Sequence, residues 1–225
     1  MIIIDGKEFS KKILEEISNE QKEIVEKKNL RPAGLAVIIV GENPASQVYV
    51  RNKTRVCEKV GFYSETIKLE ENISEDDLIK KIEELNENDK IDGILVQLPL
   101  PKHIDELKVI NSIKPEKDVD GFSNVNVGKM VIGDESGFLS CTPYGIMQLL
   151  EGYDIDVDGK DVVVVGRSNI VGKPMTMMLI QKGATVQVCN SRTKDLSKKL
   201  KKADIIVVAV GVPRMIKAAD VKEGV

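Results

Sequence analysis

The sequence predicts a two-domain α/β protein, each domain built on a parallel sheet, and three observations carry that prediction. Apolar, β-branched runs stand within Gly34–Val40, Gly93–Val96, Val162–Val165 and Asp204–Val210, as in strands buried on both faces. Helical patterns of crossover length separate them, which is the spacing of parallel strands. In the stretch Asp161–Gly183, DVVVVGRSNIVGKPMTMMLIQKG, an apolar strand runs into Gly166 and an apolar helical pattern resumes after Gly172, the opening of a βαβ unit.

Taken in order, Met1–Ile4 reads as a short edge strand, and Lys7–Lys28 as an amphipathic helix through Ile13, Leu14, Ile17, Ile24 and Val25. Gly34–Val40 is a buried strand that breaks at GENPAS, where Asn43-Pro44 marks a turn and Ser46 is the expected N-cap of a helix over Gln47–Val60. A strand at Tyr63–Leu69, a helix from Ser74 to about Asn88 and the strand Gly93–Val96 follow. Proline removes ladder donors, so LPLP, Leu98–Pro101, is a loop leaving the carboxyl edge of the sheet, where open α/β sheets bind ligands. After a helix near Ile104–Ile113, the polar passage KPEKDVDGFSNVNVG has little periodicity and reads as a surface linker. Thr142-Pro143 is the expected N-cap and first-turn proline of a helix to Leu150 that bridges two domains. The second domain then carries Val162–Val165, its crossover helix, a strand at Thr185–Cys189, a Lys-rich helix over Lys194–Lys202 and the strand Asp204–Val210. The domains are expected at 1–138 and 139–225, with a ligand cleft between them.

With 42% hydrophobic and 31% charged residues the chain can bury a core, and its net charge of -3 is spread without a basic block, which argues against a nucleic-acid partner. No apolar run is long enough to cross a bilayer, and Met1–Ile4 lacks the features of a signal peptide, so a cytoplasmic location without a membrane partner is expected. Cys57, Cys141 and Cys189 stand far apart without a C-x-x-C pair, which suits small buried hydrophobes in a reducing compartment and no metal site. The single histidine, His103, has no neighbours that suggest a catalytic triad and reads as a surface residue.

The glycine turn resembles two commoner motifs without matching either. Ser168 stands where G-x-G-x-x-G needs its second glycine, and five residues separate Gly166 from Gly172 where a P-loop has four. A glycine at a strand's carboxyl end still lets backbone approach a ligand, and the next helix's free N–H groups favour phosphate, so Gly166, Arg167 and Ser168 are candidate contacts of a Rossmann-like dinucleotide site. At the end of the following strand NAD enzymes carry a carboxylate for the ribose 2′-hydroxyl; this chain has Asn190, Ser191 and Arg192. Hydroxyl and guanidinium groups suit a 2′-phosphate, so NADP is the expected cofactor.

In the first domain Tyr49 and Lys53 stand four apart on one helix face. Two readings of Lys53 are open: a stem packed on an apolar stripe with its ammonium in water, or an amine aimed into a cleft for proton transfer. Gln97 at a strand's carboxyl end, with Asp118 and Asp120 in the polar passage, could line one pocket with it.

The set YVRNKTRVCEKVG, DGILVQLPLP, KDVDGF, CTPYGI, VVVVGRSNIVGKP and the SRT after the second-domain strand resembles the bifunctional methylenetetrahydrofolate dehydrogenase/cyclohydrolase family of the bacterial FolD type, over the whole chain. The resemblance implies NADP-dependent oxidation of 5,10-methylenetetrahydrofolate and hydrolysis of the product to 10-formyltetrahydrofolate, in a homodimer. It implies Lys53 hydrogen-bonded to Gln97 as the proton-handling group, Tyr49 stacked on the folate, Asp120 accepting from the pterin, Leu98 and Pro99 at the substrate, and Gly166, Arg167, Ser168, Ser191 and Arg192 at the cofactor. Asn190 stands where the family more often has histidine. The family continues beyond the position of Val225 with a glycine-rich segment and a returning helix, so the alternative to an active enzyme is a truncated chain that binds folate or nucleotide without turnover.

Overall fold

The computed structural model describes residues 2–225; Met1, the first residue of the expected edge strand, lies outside the described residues. The chain divides into two compact units, Met1–Asn126 and Val127–Val225.

The first unit holds α1 (Gly6–Lys22), β1 (Gly34–Val40), α2 (Pro44–Val60), β2 (Tyr63–Leu69), α3 (Glu75–Asn86), β3 (Gly93–Val96) and α4 (Glu106–Ser112). A π-helical stretch, Glu23–Lys27, continues α1. All strands pair in parallel in the order β2-β1-β3, so β1 is central. Its alternating side chains enter two cores. Ala36, Ile38 and Val40 meet Leu78, Ile82 and Leu85 of α3, while Val37 and Ile39 meet Val50 of α2. That two-sided burial is why the run reads as unbroken apolar sequence.

Three local expectations are corrected. Ile2–Ile4 forms no strand, and Ile2 and Ile3 are exposed. Helix α2 begins at Pro44 rather than Gln47: Asn43 Oδ1 accepts Ser46 N–H at 3.1 Å, and proline at the first helical position needs no donor. Ser46 is therefore buried inside the first turn instead of capping it. The passage from Lys114 is an ordered edge, not a linker. Ile94 N–H donates to Lys117 O at 2.7 Å, the ammonium of Lys117 binds Leu85 O and Asn88 O, and α5 (Asn124–Ile132) follows directly.

Asp92 ties the entry of β1 to that of β3. Its carboxylate accepts Gly34 N–H at 2.7 Å and a two-pronged ion pair from Arg31 at 2.7 and 2.8 Å. The Arg31 guanidinium and the Gly34 amide hold Asp92 below the usual carboxylate range against partial burial. A depressed carboxylate contributes stability above its unfolded pKa of about 3.9 and loses it as pH falls through the folded value. Asp92→Asn is therefore expected to lower the urea midpoint of this unit at pH 7, with the gap to the parent closing below about pH 4. An equal gap at pH 3 and pH 7 would exclude the ion pair as its source.

The second unit carries α6 (Cys141–Gly152), β4 (Asp161–Val165), α7 (Gly172–Gln181), β5 (Thr185–Cys189), α8 (Leu196–Leu200) and β6 (Ile205–Val208). Its parallel order is β5-β4-β6. Val162 and Val164 pack on Met175 and Leu179 of α7, and Val163 and Val165 on Leu200 across the other face. Helix α6 begins earlier than Thr142, with Ser140 at its N-cap; the Ser140 hydroxyl donates to Ile170 O at 2.9 Å, so its role is tertiary. Cys57 and Cys189 are buried as expected, but Cys141 is exposed on the first turn of α6. Among the described residues no helix is long and apolar enough to cross a membrane, and no group of three or more His, Cys, Asp or Glu could hold a metal.

Candidate active site and nucleotide turn

Both candidate sites stand at the carboxyl ends of parallel strands, where the chain leaves the sheet and open α/β sheets bind ligands. In the first unit Gly41, at φ +74°, turns the chain out of β1 into α2. Three helical turns later Lys53 is half-buried beside the end of β3. Gln97 is held there because its N–H donates to Ile38 O of β1 at 2.8 Å.

The Lys53 ammonium donates to Gln97 Oε1 at 3.1 Å, and Gln97 Nε2 donates to Leu98 O at 2.8 Å. The second bond orients the first. Flipping the amide would set an NH2 against the ammonium and an oxygen against a carbonyl, so Oε1 faces Lys53. No carboxylate lies within ion-pair distance of Lys53 among the described residues. A neutral amide oxygen accepts from an ammonium and from a free amine alike, so the contact survives release of a proton. That arrangement suits acid–base work better than a salt bridge would.

Tyr49, one turn earlier on α2, is 64% exposed, which leaves its ring available for stacking. Leu98-Pro99 is a cis peptide bond; Leu98 is half-buried and Pro99 exposed. Cys57, further along α2, is no second nucleophile: burial pushes its thiol up, so it stays protonated at neutral pH. His103 is exposed, with a ring nitrogen 2.9 Å from Ile73 O.

The two aspartates of the polar passage separate. Asp120 is half-buried, in the tight turn closed by Gly121 N–H donating to Asp118 O at 3.1 Å. Asp118 is 1% exposed and does not line a pocket. Its carboxylate is taken up by Ser123 N–H at 2.8 Å, Phe122 N–H at 3.3 Å and Asn126 Nδ2 at 3.0 Å. Sequence reading missed Asn126 altogether, because its partners lie in a segment without periodicity.

In the second unit the glycine turn is built by close approach. Gly166 sits at φ +133°, and a Cβ there would fall 2.5 Å from Ala209 O after β6; a Cβ on Gly172 would fall 2.4 Å from Gly166 O. Only hydrogen fits at either position. Ser168 Oγ accepts Val171 N–H at 3.1 Å, and Ser168 O accepts Lys173 N–H at 3.0 Å, which fixes the loop against the start of α7. Arg167 and Ser168 are exposed on it.

The neighbouring turn is joined to this one, since Gly166 N–H donates to Cys189 O at 2.8 Å. Asn190 builds that turn rather than facing a ligand. Its Oδ1 accepts Arg192 N–H at 3.0 Å, and its own N–H donates to Thr193 Oγ1 at 2.8 Å. Ser191 and Arg192 are left exposed, with no carboxylate between Asn190 and Thr193. A backbone cradle closed to any Cβ, flanked by a hydroxyl and two guanidinium groups, fits a dinucleotide bearing a 2′-phosphate.

Comparison with known proteins agrees with this division. Residues 4–120 match the family profile for the tetrahydrofolate dehydrogenase/cyclohydrolase catalytic domain, and residues 140–225 the one for its NAD(P)-binding domain. The chain is 54% identical over 222 residues to the bifunctional protein FolD of Acetivibrio thermocellus, covering 99% of this chain and 77% of that one. The crystal structure of the bifunctional FolD of Campylobacter jejuni superposes with a TM-score of 0.97 at 50% identity, covering 100% of this chain and 79% of that one. The Trypanosoma brucei dehydrogenase-cyclohydrolase, solved with NADP and an inhibitor, gives a TM-score of 0.94 at 35% identity, covering 98% and 75%. The lysine–glutamine contact at one sheet edge and the glycine cradle at the other thus stand in a chain that belongs to the tetrahydrofolate dehydrogenase/cyclohydrolase family.

Proposed function

We propose that the chain is a bifunctional folate enzyme that oxidises 5,10-methylenetetrahydrofolate to the 5,10-methenyl compound with NADP and hydrolyses that product to 10-formyltetrahydrofolate. The observation that carries this reading is the Lys53–Gln97 contact of 3.1 Å at the carboxyl edge of the first sheet. NADP, when bound, accepts the hydride from the methylene carbon. The oxidised carbon is an amidinium stabilised by both flanking nitrogens, so this step needs alignment more than it needs a proton from the protein.

Hydrolysis differs. Water adds to the methenyl carbon, both of its protons leave the attacking oxygen as the formyl C=O forms, N5 takes up one proton as its bond to carbon breaks, and one proton is released overall. Lys53 moves those protons, and Gln97 holds its nitrogen in place. Tyr49 stacks on the folate, Leu98 and Pro99 flank it, and Asp120 accepts hydrogen bonds from the pterin's amino and ring N–H groups. Gly166, Arg167 and Ser168 take the cofactor's phosphate side, with Ser191 and Arg192 at the 2′-phosphate. In domain terms, 1–138 binds folate and carries the acid–base chemistry, and 139–225 binds NADP. The wider setting that accompanies this reading is a cytoplasmic homodimer without nucleic-acid or membrane partners. No feature of either site favours a chain that binds without turnover, since the lysine contact and the glycine cradle are both formed.

The test is to mix the protein with methylenetetrahydrofolate and NADP and to follow reduced nicotinamide and the methenyl chromophore together. A folded protein that produces no NADPH would overturn the reading. Within it, Arg192→Ala is expected to raise KM for NADP by about tenfold, the worth of one charge-assisted contact, and to leave KM for NAD nearly unchanged. Equal effects on both cofactors would place the 2′-phosphate elsewhere.

A further inference from the structure

We infer that the buried pair Asp118 and Asn126 sets the position of Asp120, and so acts as a positioning device for folate recognition; this rests on the proposed contact between Asp120 and the pterin. Burying a carboxylate without a cation is costly unless N–H donors replace its water. Here the donors come almost entirely from the stretch that follows Asp120: Phe122 N–H, Ser123 N–H and Asn126 Nδ2. Asn126 is 1% exposed and also donates to Pro115 O at 2.9 Å, so it clasps the segment on both sides of the turn.

The other end of the turn is equally fixed. Asp118 forms a parallel bridge with Ile94 of β3, and Val119 packs where Gly93 lacks a side chain; a Cβ there would come within 2.5 Å of Val119 Cγ1. Gly121, at φ +65°, then reverses the chain. Asp120 is thus suspended between a strand contact before it and the carboxylate clasp after it. A loop this polar would be mobile on composition alone, and here buried hydrogen bonds remove that freedom. The carboxylate of Asp118 has no work of its own at a ligand, because its oxygens are occupied and covered.

Asp118→Asn tests this with little change of volume. An amide offers an acceptor at only one of the two oxygen positions and would set its NH2 against a backbone N–H at the other. The expected result is a rise of about tenfold in KM for methylenetetrahydrofolate, with KM for NADP within about twofold of the parent. The decisive measurement is a double-mutant cycle with Asp120→Ala. If Asp118 acts through Asp120, its effect on folate KM disappears once Asp120 is gone; full additivity would overturn the inference. Asp120→Ala measured alone separates the two failures, because an unchanged folate KM there removes the pterin contact on which the inference rests. Should Asp118→Asn unfold at assay temperature, Asn126→Ser, which removes one donor of the clasp, carries the same cycle with the same two outcomes.

Discussion

Lys53→Met is expected to lower cyclohydrolase turnover by about a thousandfold while hydride transfer falls by no more than about tenfold. Methionine keeps the length and apolar stem of lysine, so α2 should still pack through Val50, Cys57 and Val60. What disappears is the N–H that Gln97 accepts and the group that exchanges protons with water. The two reactions divide because their demands divide. Loss of hydride leaves a cation that the substrate's own nitrogens stabilise, whereas hydrolysis of that cation requires two protons to leave the water oxygen and one to reach N5. Following NADPH appearance and methenyl decay in one cuvette reads both. A parallel fall in the two rates would make Lys53 a binding residue, and an unchanged decay would remove it from the chemistry.

Much of the frame could be read from residue types. The spans Gly34–Val40 and Gly93–Val96 coincide with β1 and β3, because strands buried on both faces write themselves as apolar runs, and Tyr63–Leu69 coincides with the edge strand β2, which is more polar and has no buried residue. The glycine turn was legible for the same kind of reason: close backbone approach leaves a residue type behind. Contacts between distant side chains leave none. Lys53 and Gln97 are 44 positions apart and meet only because β3 pairs beside β1 and α2 packs on the face the two strands share, so nothing in local pattern distinguishes a snorkelling lysine from a proton-handling one. That contact entered the sequence reading solely through family resemblance. The passage around Asp118 was misread because its order comes from buried hydrogen bonds, which have no period. Asn43 and Ser140 show the smaller version of the problem, where several adjacent polar residues can begin a helix and tertiary bonds decide among them.

Gly172→Ala is expected to abolish productive NADP binding at ordinary concentrations, with a loss of about a hundredfold or more, although it adds a single methyl. That methyl would lie 2.4 Å from Gly166 O and 2.7 Å from Arg167 N, both backbone atoms that no rotamer change can move aside. The turn can accept it only by shifting Gly166 and Arg167 together, and Gly166 is itself wedged against Ala209 O and bonded to Cys189 O. Overpacking of this kind costs about 2–3 kcal/mol. Displacing two backbone donors from a phosphate costs a similar amount again, which is the hundredfold. Gly145→Ala is the control within the same unit: it sits in α6, nothing lies within 4 Å of the new Cβ, and alanine should stabilise the helix by up to about 1 kcal/mol. The pair is measured by NADP titration and by hydrogen exchange of the Val162–Val165 amides, which report the strand feeding the turn. Parent-like NADP affinity in Gly172→Ala would mean that the cradle does not approach the phosphates, and the nucleotide site would have to be sought away from the carboxyl end of β4.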